Sequence, residues 1–223
     1  MKMGMERVLE VEYMDTLEEA RDYDSMDHSA VNRRFVEDLL AVIPEPTQVL
    51  DLGTGTARIP IELCRRVEDC RVLAVDAAAT MLDIARLNIE IASLTERVQL
   101  DRVDAKRLPY SAGFFAAVMS NSILHHIPEP LEVLREAVRV TAPGGQLFFR
   151  DLVRPTSAGQ LQQLVACYAG QENEHSRAMF ADSLHAALTC EEVQEMVAQL
   201  GFDRATVALT SDRHWTWSAR KSG

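Results

Sequence analysis

From residue 48 to residue 151 the sequence alternates short apolar runs with longer stretches whose apolar residues recur at helical spacing. The short runs Val49–Asp51, Val72–Asp76, Val98–Val103, Phe114–Ser120 and Leu147–Asp151 read as strands. Strands separated by helix-length segments cannot be joined as hairpins. They build βαβ units, so the expectation is a mainly parallel sheet with helices on both faces. A chain of 223 residues with 47% apolar residues has the length and the core material for one such domain.

The helix punctuation agrees. Pro130 suits a first helical turn, Leu131, Leu134 and Val138 then share a face, and Pro143-Gly144-Gly145 predicts a turn after the helix. Thr189 with Glu192 forms a capping box ahead of Val193, Met196, Val197 and Leu200, and Gly201 suits a left-handed C-terminal cap. Two regions break the alternation. One is the N-terminal segment, with a helix over Val31–Val42 striped by Val31, Phe35, Leu39 and Val42; the other is a pair of helical stretches between Asp151 and Thr189. The chain closes with strands Ala205–Thr210 and His214–Ala219, whose short connection requires an antiparallel hairpin.

Composition narrows the partners. A formal net charge of −11 repels phosphate backbones, which argues against nucleic acid as a partner. No apolar run is long enough to span a membrane as a helix, and Met1 to Glu10 lacks a signal pattern, so a cytoplasmic protein is expected. Cys64, Cys70, Cys167 and Cys190 form no C-x-x-C pair and read as idle thiols. The histidines do not cluster with carboxylates or thiols at ligand spacing, so no metal is expected. The oligomeric state is left open, with a homodimer as one option.

The segment Val49-Leu50-Asp51-Leu52-Gly53-Thr54-Gly55-Thr56-Ala57 runs a strand through a glycine turn into a helix. Gly53 and Gly55 let the backbone turn tightly and let a ligand approach without meeting a Cβ. Ligands of open α/β sheets bind beyond the carboxyl ends of the strands. Asp76, ending the second strand, stands where a carboxylate grips the hydroxyls of an adenosine ribose. A nicotinamide fingerprint would place a third glycine where this chain has Arg58. Asp76 and Asp104 also admit a plainer reading, as strand-end carboxylates capping the next helix.

Taken in order, Asp51-x-Gly53-x-Gly55-x-Ala57, Asp76, Asp104-Ala105 and Asn121-Ser122 resemble class I S-adenosylmethionine-dependent methyltransferases. Val103-Asp104-Ala105-x-x-Leu108-Pro109-Tyr110 and Ser122-Ile123-Leu124-His125-His126-Ile127-Pro128 are similar to the small-molecule, ubiquinone/menaquinone-type subgroup. The resemblance spans roughly Gln48 to Asp151. It implies a doubly wound seven-stranded sheet of order 3-2-1-4-5-7-6 with the last strand antiparallel, an N-terminal helical cap and a helical insertion after strand 5. The implied division of the single domain is 1–46 cap, 47–151 cofactor-binding half, 152–188 helical lid, and 189–223 C-terminal helix and hairpin.

The resemblance also implies roles. Asp51, Gly53, Thr54, Gly55 and Asn121 would hold the methionine end of S-adenosylmethionine. Asp76 would take the ribose, Ala77 and Met81 the adenine face, and Asp104 with Ala105 the adenine edge. The third family glycine is Ala57 here, a change expected to cost little. Methyl transfer to a small soluble acceptor follows, with alignment and exclusion of water dominating.

Topology places Arg150, Asp151, Arg213 and His214 at the active edge of the sheet, and Trp217 in the core; Trp215 stays open between the two. Arg150 and Arg213, with Tyr168 of the lid and Tyr23 and His28 of the N-terminal segment, are the expected acceptor contacts. His126, His175, His214 or Asp151 would serve as general base or orienter, and one of His125 and His126 is read as structural. The lid also carries Asn173, Glu174, Arg177, Phe180, Ser183 and His185. Three other readings remain: a non-catalytic binder of the cofactor, other chemistry on the same sulfonium, and a nicotinamide oxidoreductase, which Arg58 and Asp104-Ala105 argue against.

Overall fold

The computed structural model describes residues 4–10, 24 and 29–223. Tyr23 and His28, expected to touch the acceptor, lie outside the described residues. The elements run α1 (Ser29–Val42), β1 (Gln48–Leu52), α2 (Arg58–Arg66), β2 (Arg71–Asp76), α3 (Ala79–Ile91), β3 (Val98–Arg102) and β4 (Phe115–Asn121). A single 3₁₀ turn (Leu124–His126) leads to α4 (Pro130–Val140), β5 (Thr141–Leu152), α5 (Ala158–Tyr168), α6 (Glu174–Ala186) and α7 (Cys190–Gln199). A second such turn (Arg204–Thr206) precedes β6 (Val207–Leu209) and β7 (His214–Arg220). The seven-stranded sheet has the order β3-β2-β1-β4-β5-β7-β6.

The chain forms two compact units interleaved along the sequence. One takes in Tyr13–Asn121, Leu131–Phe149 and Ser218–Gly223; the other takes in Met1–Glu12, Ser122–Pro130 and Arg150–Trp217. In the first, β1 pairs in parallel with both β2 and β4, and β2 with β3. A parallel central strand is covered on both faces, and β1 obeys: Val49, Leu50, Asp51 and Leu52 are all buried. Phe35 and Phe148 meet edge to face at 5.1 Å in this core. In the second unit β6 and β7 form the antiparallel hairpin, and Leu152, Leu161, Leu164, Leu184 and Ala187 make a separate apolar cluster.

Local chemistry explains several boundaries. Thr189 and Glu192 exchange both bonds of the capping box at the start of α7, and Gly201 takes φ 88° after its end. Ser157 and Asn173 cap α5 and α6 with their side-chain oxygens.

Three expectations need correction. The turn predicted at Pro143-Gly144-Gly145 does not form, because β5 starts at Thr141 and runs through it. Gly144 absorbs the kink at φ 73°. At Gly145 a Cβ would sit 2.9 Å from the carbonyl oxygens of Ala116 and Ala142, so the glycine serves close strand approach and not a turn. The predicted sixth strand loses its first residues to the 3₁₀ turn, since Asp203 caps Ala205 and holds it helical. On α1 the buried face is Phe35, Val36 and Leu39, while Val42 is exposed, so the stripe is rotated by part of a turn.

Candidate active site

In the first unit β1 delivers Asp51 and then turns through Gly53 (φ 69°) and Gly55 (φ 55°), both in the left-handed region that only glycine enters freely. The amides of Gly53 and Thr54 both donate to the Val75 carbonyl at 2.9 Å, tying the turn to β2. Asp76, the last residue of β2, accepts from the Gly55 amide at 2.8 Å and from the Ala78 amide at 2.9 Å. Arg102 secures the same corner by donating to the Ala77 carbonyl at 3.0 Å. Two backbone donors therefore fix the orientation of this carboxylate.

Ala57 corrects an expectation. It is fully buried at φ 61° and ψ 25°, a conformation that costs an L-residue about 1–2 kcal/mol. Replacing glycine here burdens the backbone and not merely the space for a methyl group.

A cavity of about 590 Å³ opens beside this turn, within the usual range for small-molecule sites. Of the predicted cofactor residues, Asp51, Gly53, Thr54 and Asn121 line it, whereas Gly55, Asp76, Ala77, Met81, Asp104 and Ala105 stand outside its wall. Burial pushes the Asp51 carboxyl up to about 7, and the nearby Asp76 carboxylate pushes in the same direction. Asn121 Oδ1 is buried in the wall with no hydrogen-bond partner. A buried carbonyl oxygen without a donor is costly, and a ligand N–H would relieve it. Met81 packs with Ala78 and Ile84. Asp104 is half-exposed; it accepts from the Lys106 amide at 2.9 Å and lies 3.4 Å from its ammonium, which closes a local turn and caps no helix, since β3 leads directly to β4.

Sequence reasoning missed the far wall of this cavity. Arg58 grips Asp24 through Nε at 3.0 Å and Nη2 at 2.8 Å, and Asn88 Nδ2 reaches the same carboxylate at 3.1 Å. Burial alone would raise the Asp24 pKa, but the hydrogen bond from Arg58 and its neighbours overcomes this and holds it below the usual range. Only Arg58 carried a signal in the sequence, as the cation where a nicotinamide site wants glycine.

Residues 49–145 match a family model described as a methyltransferase domain. That match covers the glycine turn, Asp76, Asp104 and the cavity lining from Asp51 to Asn121, while Asp24, Ser29, Asn32 and Arg33 of the wall precede it. The chain belongs to the class I S-adenosylmethionine-dependent methyltransferases. It is 30% identical over 187 residues to malonyl-acyl-carrier-protein O-methyltransferase of Geobacter sulfurreducens, covering 82% of this chain and 66% of that protein. It is 35% identical over 123 residues to demethylmenaquinone methyltransferase of Thermus thermophilus, covering 55% of this chain and 54% of that one. The methyltransferase chain thus spans less than two thirds of these relatives' lengths. A SAM-dependent methyltransferase structure from Aquifex aeolicus shares the fold with a TM-score of 0.68 at 18% identity, over 92% of this chain and 98% of that one. The cofactor of the family fits the wall just described: its ammonium suits Asp51 and the orphaned oxygen of Asn121.

The second unit of the methyltransferase collects the remaining predicted residues. Asp151, fully buried on β5, accepts from the amides of Leu124 (2.6 Å), His125 (3.3 Å) and Leu152 (2.7 Å), and its Oδ1 is 2.5 Å from His125 Nδ1. Burial would raise its pKa, but the charge and hydrogen bond of His125 hold it below the usual range. Burial lowers and Asp151 raises the His125 pKa, with the raise winning; burial and His125 together lower that of His126. Glu10 Oε1 lies 2.9 Å from His126 Nδ1 and 3.4 Å from His125 Nε2. This overturns the expectation that no histidines cluster with carboxylates: Glu10, His125 and His126 meet across more than a hundred residues of sequence. Arg7 fixes the meeting by donating to the carbonyls of Leu124, His125, Ile127 and Ala186.

The other candidates are placed differently. His175 is exposed in the first turn of α6. His214 Nδ1 is 2.9 Å from Ser211 Oγ, and burial, then Arg213 and Arg150, lower its pKa to about 4. Arg150 is buried and donates to Thr216 Oγ1 at 2.9 Å, so it braces β7 instead of standing open to an acceptor. Arg213 lies over the Tyr168 ring at 3.3 Å, and Tyr168 donates to Asp212 at 2.7 Å. Trp215 is fully buried and is core.

Proposed function

We propose that this methyltransferase transfers the sulfonium methyl of S-adenosylmethionine to a small acceptor carrying negative charge. When bound, the cofactor supplies an electrophilic methyl group with a neutral thioether as leaving group. The observation that carries the reading is the wall of the 590 Å³ cavity: a buried carboxyl raised to about 7 and an Asn121 oxygen lacking a donor, beside a glycine turn braced by Asp76. Such a wall is built for a cationic ligand N–H.

The acceptor's charge is read from the malonyl group named for the Geobacter relative. Within the second unit Arg213 Nη1 is buried without a hydrogen-bond partner, while burial, then Arg213 and Arg150, lowers the His214 pKa. A guanidinium nitrogen without a partner suits a carboxylate of that kind. In this reading none of His126, Asp151, His175 and His214 acts as an essential base. His126 and Asp151 are committed to the Glu10–His125 cluster, His214 to Ser211, and His175 stands in solvent. Alignment and exclusion of water carry the rate. The test is a screen with labelled methyl donor against paired acceptors, each carboxylate beside its amide. Transfer to the carboxylate members supports the reading; transfer favouring the amides, or none to any acceptor despite cofactor binding, rejects it.

A further inference from the structure

We infer that Glu10, His125 and His126 form a binding site for a divalent metal ion of the zinc class. Among the described residues these three offer ligand atoms all within 4.8 Å of one another. A tetrahedral zinc with bonds of about 2.0–2.2 Å keeps its donor atoms roughly 3.4 Å apart. Glu10 Oε1 stands 3.4 Å from His125 Nε2 and 2.9 Å from His126 Nδ1, so small movements seat the ion.

The surroundings are those of a built site. The His125 ring is buried and gives its Nδ1 to Asp151, which leaves Nε2 directed at Glu10. A carboxylate on the far nitrogen fixes the ring's tautomer and raises its strength as a ligand. Glu10 is oriented in the same way, because Ser183 donates to its Oε2 at 3.2 Å and leaves Oε1 facing the imidazoles. Glu10 Oε1 and His126 Nδ1 are both buried atoms without a well-aligned hydrogen bond, close enough for ligation yet poorly placed for a shared proton. The Arg7 clamp on residues 124–127 sets the backbone of the two histidines before any ion arrives. A two-histidine, one-carboxylate set suits zinc or cobalt over magnesium or calcium, and it leaves a coordination position for solvent.

The inference is independent of methyl transfer, and its readout is binding. The chelator-stripped full chain would be titrated with Co(II) and with Zn(II). One equivalent of Co(II) should bind with the intense visible absorption of four- or five-coordination, and one equivalent of Zn(II) should displace it. Glu10→Gln and His126→Ala should each weaken Zn(II) binding at least tenfold, while His175→Ala leaves it unchanged. Native circular dichroism of each metal-free variant separates lost ligation from lost folding, and a variant that fails to fold is replaced by Glu10→Asp, which should weaken binding while the fold holds. No uptake by the folded wild-type chain, or uptake equal in the folded Glu10 and His126 variants, overturns the inference.

Discussion

The Asp76 carboxylate at the tip of β2 accepts the Gly55 amide at 2.8 Å, so the second strand holds the shape of the turn that follows the first. Because the same side chain also caps Ala78, removing it frees two backbone donors at once. Asp76→Ala is expected to cost about 1–3 kcal/mol of stability, as loss of a charged acceptor for buried amides usually does. Urea unfolding monitored by circular dichroism measures it.

Asn121 separates binding from folding. Its Oδ1 has no partner to lose, so Asn121→Ala should change stability by less than about 1 kcal/mol. The same change should weaken binding of S-adenosylhomocysteine, the demethylated cofactor, roughly tenfold, as loss of one ligand hydrogen bond does. Paired unfolding and calorimetry distinguish this from a general loss of structure.

Asp51 should make cofactor affinity depend on pH. Its folded pKa of about 7 lies above the ordinary carboxylate value, so it is protonated in the free protein below that pH. A cationic ammonium requires the carboxylate, and binding below pH 7 must release a proton. Affinity should therefore rise with pH up to about 7 and level off above it, with Asp51→Asn abolishing the slope. The stability effect has the opposite sign, because the raised pKa favours the folded state at low pH. That contribution declines as pH rises from the unfolded value through about 7. Calorimetry in buffers of different ionisation enthalpy counts the proton.

Ala57 tests the strained corner. Relief of left-handed strain in Ala57→Gly, about 1–2 kcal/mol, is offset by extra unfolded-state freedom and a lost buried methyl, so the net change should be small. Ala57→Val adds a branched side chain at φ 61° in a fully buried position and should cost more than about 2 kcal/mol. Thermal unfolding of the two variants gives the comparison.

The parts of this methyltransferase that were legible in its sequence follow from periodicity and local chemistry. Strand and helix alternation, the Thr189 capping box and the glycine turn depend on neighbours a few residues away. Pro143-Gly144-Gly145 misled because the reason for Gly145 is the approach of the Ala116 carbonyl, which sequence spacing does not express. Glu10 was invisible for a similar reason: a lone acid in an N-terminal segment gains meaning only when Arg7 anchors it against a turn over a hundred residues away. Asp24 and Arg58 are the same case on the cavity wall. Trp215 could not be assigned between core and acceptor from alternation alone, since both roles fit a strand next to a turn.

If this methyltransferase works as proposed, one cavity receives one adenosyl-sulfonium molecule. Isothermal titration of the purified chain with S-adenosylhomocysteine, run beside NADH, tests it most directly. The expected result is saturable one-to-one binding of S-adenosylhomocysteine, strongly weakened in Asp76→Ala, with no heat from NADH. Absence of binding by the folded protein, or binding of NADH in its place, would contradict it.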